Sequence, residues 1–347
     1  MACKSDSPSR NLLTITCCAL LGCGLVLLAV IGGEYVLRCL ALGSGRLPNF
    51  FAAVEGRDYV LAPSTTSRYW QRNRLITVTI GDDGKRVVAN SPPEDQKARN
   101  VHLVGDSQVF GWNLSDHETV GFKLQDQLGP RYRVINHGLP GLGPFGYVSV
   151  LHRINPGDGI VVLLLTEMND FQDAYSNTSS LVAHCGFIVD FEGPGQYLPC
   201  FLFHSHIFAK LVDIRDLFFS SPAPLPLNFN PYARAASAVI AARIRTLLDT
   251  ARMLQPAIYV ATIPWDAAVD PARLRSYAPM IATPVRYSEL PGVEWIDREF
   301  RAFPAPDTLF QEADHHLSVA GANLLAKLLS EVILGQDTLP TVGDPAR

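Results

Sequence analysis

The chain has 347 residues, 48% of them apolar, enough to bury one large core or two smaller ones. Its 29 Lys and Arg stand against 33 Asp and Glu, so a formal charge of −4 supplies no basic field of the kind that holds nucleic acid. The mean hydropathy of +0.13 is high for a soluble protein, and the excess lies mostly at one end.

That end is residues 12–33, LLTITCCALLGCGLVLLAVIGG, an uncharged run of the length, about 20 residues, that a helix needs to cross a bilayer. Lys4 and Arg10 precede it, so it reads as an uncleaved signal anchor with residues 1–11 cytoplasmic and everything after Glu34 exported. The alternatives are a cleaved signal peptide, whose apolar core is usually shorter, and lipidation at Cys23 in Leu20-Leu21-Gly22-Cys23, past which the run continues. Cys17, Cys18, Cys23 and Cys39 lie in or beside the run and read as small hydrophobic residues. Cys185 and Cys200 fall in the exported body, lack metal-ligand spacing, and are expected to form a disulfide in an oxidising compartment.

Residues 34–99 read as a juxtamembrane stalk leading into a β-hairpin. Leu75 to Ile80 alternates apolar and polar, Gly81-Asp82-Asp83-Gly84 supplies a turn, and residues 86–89 are expected to return as the second strand. The polar, Pro-containing stretch 91–99 suits a connector.

The next stretch, VHLVGDSQVFGW at 101–112, is an apolar strand that stops at Gly105-Asp106-Ser107. A serine at a strand-to-helix turn is a helix cap or a nucleophile, and taken alone the cap is the more economical reading. Strands and helices then alternate. Helices are expected over 117–128, 145–154, 232–254 and 319–333, and strands over 132–135, 159–165, 257–263 and 293–296. The run Gly-Ile-Val-Val-Leu-Leu-Leu at 159–165 is what a parallel strand buried on both faces requires. This alternation predicts an α/β domain over 100–335, with a doubly wound, mostly parallel sheet and a ligand site beyond the carboxyl ends of the strands. Residues 336–347 read as a tail.

Four clusters fall at those ends: Gly105-Asp106-Ser107, Asn136-His137-Gly138-Leu139-Pro140-Gly141, Glu167-Met168-Asn169-Asp170 and Asp314-His315-His316-Leu317-Ser318. Together they hold the parts of ester acyl transfer. Ser107 is a hydroxyl nucleophile, His316 or His315 a base, and Asp314 an acid to orient the imidazole. The amides of Ser107 and Gly141 and the side chain of Asn169 are candidate donors to an oxyanion.

These residues carry a family resemblance. From about Asn100 to Leu334 the chain resembles the SGNH/GDSL hydrolases, which implies a flavodoxin-like three-layer α/β/α fold. Gly105-Asp106-Ser107 is similar to their first block, VINHGLPG at 134–141 to the second, with Gly141 as the oxyanion glycine, and Asn169 to the asparagine of the third. His316 before Leu317-Ser318 matches the base of the last. Two departures stand out. Glu167 replaces the usual glycine of the third block, and the family's acid, normally three residues before the histidine, falls on Ala313. Asp314 with His316 is therefore the preferred pairing, Glu312 with His315 the alternate, and a serine–histidine dyad remains open.

Gly141-Leu142-Gly143-Pro144-Phe145-Gly146 also spells a dinucleotide-binding fingerprint, but it follows the second strand rather than the first and leaves Ser107, Asn169 and His316 unexplained. Residues 171–230 interrupt the alternation and read as either a substrate-selecting cap or a packing insertion. The expected function is acyl ester hydrolysis by serine, on an O-acylated envelope or exported glycan or a small ester. O-acyl transfer at the same site, in partnership with envelope polysaccharide machinery, is the alternative, and a non-catalytic glycan-binding protein is the reading from another class. No organic cofactor or metal is implied. The resemblance places the domain on the periplasmic side of a bacterial-type inner membrane.

Overall fold

The computed structural model describes residues 8–40, 48–54, 59–71, 74–93, 96–155, 157, 159–167, 170, 173–174, 181–190, 194–208, 211, 234–255, 257–264, 294–311 and 315–337. Helix α1 (Pro8–Leu40) opens the chain. Its stretch Thr16–Cys39 has a mean hydropathy of 2.3, is not buried against the rest of the protein, and is long and apolar enough to cross a membrane.

Two small antiparallel pairs follow, β1 (Phe51–Ala53) with β2 (Tyr59–Leu61) and β3 (Thr65–Gln71) with β4 (Arg74–Ile80). The expected return strand over 86–89 does not form. β4 pairs with the strand before it, and Arg86 makes only single bridges, to Ile80 and to Asn136. The guanidinium of Arg86 accounts for the departure, because it is fully buried and uses all five of its donors. Nη1 donates to the carbonyls of Phe110 (2.8 Å) and Gly111 (2.6 Å), Nη2 to Leu114 (2.5 Å), and Nε and Nη2 to Asp116 Oδ1 at 3.4 and 3.3 Å.

The main domain runs through β5 (Arg99–Val104), α2 (Ser107–Phe110), α3 (Val120–Leu128), β6 (Tyr132–Asn136), α4 (Pro144–Leu151) and β7 (Ile160–Thr166). An antiparallel hairpin, β8 (Leu181–His184) and β9 (Phe187–Asp190), and the short helix α5 (Cys200–Phe203) interrupt it. It resumes with α6 (Arg234–Leu254), β10 (Ile258–Ile263), β11 (Glu294–Trp295), α7 (Asp297–Arg301) and α8 (Val319–Asp337). The five strands of the central sheet lie in the order β6-β5-β7-β10-β11, all parallel. Counted along the chain this is 2-1-3-4-5, the flavodoxin-like order, whose switch point lies between β5 and β7.

The period of two along β7 shows why the sheet is covered on both faces. Ile160, Val162 and Leu164 join the core built with α3 and α8, whereas Val161, Leu163 and Leu165 join the core built with α4 and α6. Each such side chain contributes about 1.5–3 kcal/mol relative to exposure, so neither face of this strand tolerates a polar residue. A third apolar cluster, with Phe50, Tyr59, Tyr69 and Phe110, joins the β1–β4 layer to α2. The expected disulfide is present: Cys185 and Cys200 are bonded, with Cα atoms 5.3 Å apart, and pin the turn between β8 and β9 to the start of α5. The helix expected over 117–128 starts late, at Val120, because Thr119 caps it by accepting from the Phe122 amide at 3.2 Å, and a single 3-10 turn precedes it.

Candidate active site

The turn after β5 assigns the helix cap to a residue other than Ser107. The residue that caps α2 is Asp106, whose Oδ1 accepts from the Gln108 amide at 2.9 Å. Ser107 is therefore the first helical residue, and its hydroxyl is free of the cap. Oγ lies 2.8 Å from Nε2 of His316, the half-buried imidazole of the preferred pairing, on the loop before α8. His315 is not in hydrogen-bond contact with Ser107; it enters the site through its backbone carbonyl. The reason is a local clamp. Gln108, buried and next to the nucleophile, donates Nε2 to the His315 carbonyl at 2.9 Å, and its Oε1 accepts from the Leu317 amide at 2.8 Å. One carboxamide thus brackets His316 and turns it toward Ser107.

Gln311 fixes the same loop from the other side. Its Nε2 donates to the carbonyls of Trp112 (2.8 Å) and Leu317 (3.0 Å), and its amide donates to the His316 carbonyl at 2.8 Å. Neither glutamine was singled out from sequence. The available signal was Gln108 itself, a polar side chain between Ser107 and the apolar Val109-Phe110, which once buried must find partners.

The second cluster is built by close approach. Asn136 donates Nδ2 to the Val109 carbonyl at 2.9 Å and accepts from the Gly138 amide at 2.8 Å. A Cβ on Gly138 would stand 2.2 Å from the Phe110 nitrogen, so only glycine lets this loop touch α2. Gly141 has φ of +78°, the left-handed region, and the Tyr59 hydroxyl donates to the preceding Pro140 carbonyl at 2.5 Å. Among the described residues nothing accepts from the amides of Ser107 or Gly141, which leaves both donors for a ligand. His137 is no rival base. Its Nε2 is 3.0 Å from His102 Nδ1, and burial, then the adjacent His102, push it down to about 3, so it is neutral.

Behind the nucleophile lies a buried polar network. Thr166, which ends β7, donates its hydroxyl to Asp106 at 3.0 Å and its amide to Asp170 at 2.6 Å, and Tyr147 donates to Asp170 at 2.6 Å. Burial first, and then the Asp106 carboxylate, raise the Asp170 carboxyl well above its ordinary range, against the two hydrogen bonds that favour its charged form. Asp173 is pushed up to about 6 by burial and by Asp106. Asn169, Glu312 and Asp314, the expected oxyanion amide and the two candidate acids, lie outside the described residues.

The arrangement offers a serine hydroxyl at a strand end, an imidazole nitrogen placed to accept its proton, and, among the described residues, amides at Ser107 and Gly141 without acceptors. That is the equipment of nucleophilic acyl chemistry. No protein-family model matches the chain, and no curated protein sequence does. Solved structures similar to it include a lipase/acylhydrolase from Enterococcus faecalis, 13% identical with a TM-score of 0.38 over 69% of this chain and 96% of that one. A member of the lipolytic protein G-D-S-L family from Veillonella parvula is 11% identical, with a TM-score of 0.35 over 68% and 98%. TesA is 13% identical, with a TM-score of 0.34 over 68% and 99%. Many of the structures this chain is similar to are thus GDSL-type lipolytic hydrolases, at low sequence identity.

Proposed function

We propose that the protein is a serine esterase in which Ser107 attacks the carbonyl carbon of an acyl ester and His316 Nε2 takes the serine proton. The tetrahedral oxyanion is held by the amides of Ser107 and Gly141 and by the Asn169 carboxamide, and Asp314 orients the imidazole. Collapse breaks the ester C–O bond, and the leaving alcohol receives the proton from His316. A water then gives its proton to the same nitrogen and attacks the acyl carbonyl, and the acyl–Oγ bond breaks as His316 returns that proton to Ser107, releasing the acid. The observation that carries this reading is the 2.8 Å contact between Ser107 Oγ and His316 Nε2, with Asp106 rather than Ser107 serving as the helix cap.

The favoured substrate is an O-acyl group on an envelope or exported polysaccharide, with the domain held on the extracytoplasmic side of the membrane by α1. Support for export comes from Lys4 and Arg10 before the apolar span and from the Cys185–Cys200 disulfide, a bond that persists in oxidising compartments. The test is turnover of an aryl acetate and of an acetylated oligosaccharide by the full chain in detergent. Wild type releases acetate, and Ser107→Ala and His316→Ala each lose roughly 10³-fold or more. Alanine variants as active as wild type would overturn the reading. A free-sugar acceptor that captures the acetyl group in place of water would redefine the protein as an O-acyltransferase with the same site.

A further inference from the structure

Helix α1 does not end at the edge of its apolar run. Glu34 and Arg38 lie one turn apart just beyond it, and both reach the exported body. Glu34 accepts from the Ser205 hydroxyl at 2.9 Å and from the amides of His206 and Ile207 at 3.0 Å each. Arg38 donates to the His204 carbonyl at 2.9 Å, and Ile207 packs against Gly33. At 1.5 Å per residue, Glu34 to Arg38 spans about 6 Å, the depth of the headgroup layer on one side of a bilayer. The turn at 204–207 is therefore held at headgroup level.

What precedes that turn is rigid. Cys200 is bonded to Cys185, His184 Nε2 donates to the Leu198 carbonyl at 2.8 Å, and Phe203 stacks on Phe187 with ring centroids 5.4 Å apart. Because Phe203 faces the β8–β9 hairpin, Phe201, two residues earlier on the same helical turn, faces away and is 71% exposed. Tyr197 is 80% exposed. Large aromatic side chains left in water beside a membrane-spanning helix match the aromatic belts found at bilayer interfaces.

We propose that Tyr197 and Phe201 seat in the phospholipid headgroup layer of the bilayer that α1 crosses, so that the 194–208 platform lies on the membrane surface. The inference rests on the anchoring of α1 stated above. Its consequence reaches the active site. Leu181 on β8 is packed against Gly141, so the platform fixes the second cluster, and with it Ser107, at a set height above the lipid.

The test uses the full chain in nanodiscs of brominated phospholipid. Phe201→Trp and, separately, Tyr197→Trp add one fluorophore each at an exposed position, and Met253→Trp serves as the control. Met253 is 77% exposed near the end of α6, which leads into the start of β10, at the amino ends of the strands, whereas Gly141 follows the carboxyl end of β6. The expected result is strong bromine quenching of the added emission at 201 and 197 and none at 253, with quenching lost when Glu34→Ala is combined with either variant. Added emission at 201 and 197 that is unquenched while the protein co-elutes with nanodiscs overturns the surface and leaves the anchor standing. Protein that does not co-elute with lipid removes the anchor and the surface together.

Discussion

The loops that hold Ser107 and His316 differ in kind from the layer that covers Gly141. Ser107 belongs to the turn at the carboxyl end of β5 and His316 to the loop before α8, and the two segments are cross-linked by side-chain amides from Gln108 and Gln311. The overlying layer, built from β1, β2, β8, β9 and α5, is held by strand pairing, aromatic packing and one disulfide, and meets the Gly141 loop through the Tyr59 hydroxyl and the Leu181 side chain. Polar cross-links set direction to within a fraction of an ångström, whereas apolar packing and a covalent staple set proximity. The first region is suited to chemistry and the second to carrying it.

The largest expected effect tests how the neighbouring β3–β4 pair is joined to the segment after Ser107. Arg86 carries the β3–β4 layer onto the carbonyls of α2, and Arg86→Ala leaves those carbonyls and Asp116 without their donor, at a cost of about 3–5 kcal/mol in unfolding free energy. Arg86→Lys recovers only part of this, because an ammonium has three donors and no fork. A loss below about 1 kcal/mol in denaturant titration, the value of a surface pair, would show that the layers are independent.

Opening the disulfide is the next step down. Cys185 and Cys200 are 15 residues apart, and loop-closure entropy assigns the bond about 3 kcal/mol. The paired serine variant should therefore melt earlier yet hydrolyse esters normally below its melting range. Lost turnover in protein that is still folded would move the covering layer into the chemistry.

Gln108→Leu sharpens the other half of the comparison. Without the carboxamide the His316 loop loses its bracket, and a displacement of about 1 Å lowers kcat by roughly 10–100-fold with KM little changed. Gln108→Glu keeps the acceptor for Leu317 but sets a second acceptor against the His315 carbonyl, so it should fail similarly. A fall in stability with kcat intact would make Gln108 a structural residue only.

The smallest effect is one of pH. The Asp173 carboxyl is pushed from 3.8 up to about 6, so its charge is disfavoured in the native state. The stability it contributes is fully present below pH 3.8 and is lost as pH rises through about 6. Asp173→Asn should therefore stabilise the protein above that window, by about 1–2 kcal/mol after allowance for partial exposure, with no gain below it. Denaturant midpoints measured across the window read this directly, and a uniform gain at every pH would contradict it.

Much of the sheet was legible because its signals are local. The run from Ile160 to Leu165 declares a strand buried on both faces, and the fall of Ser107 at a strand-end turn and of His316 just before the last helix follows from the alternation around them. The covering layer was not legible, since β8–β9 pairs inside a stretch with no regular period and packs on β1, some 130 residues earlier. Arg86 misled for a related reason. Its place after the Gly81-Asp82-Asp83-Gly84 turn suggested a return strand, but the need to satisfy carbonyls after α2, more than 20 residues on, took the backbone out of the ladder. The preference for His316 over His315 was local, resting on the Leu317-Ser318 that follows it, but the Gln108 clamp that turns it toward Ser107 spans 207 residues and no local pattern encodes it.

The most direct test of the central claim is a mass-mapped fluorophosphonate reaction on the full chain. The account predicts a single adduct on the peptide bearing Ser107, lost in His316→Ala and retained in His315→Ala. An adduct that survives His316→Ala at the wild-type rate, or none on Ser107 in folded wild-type protein, would contradict it.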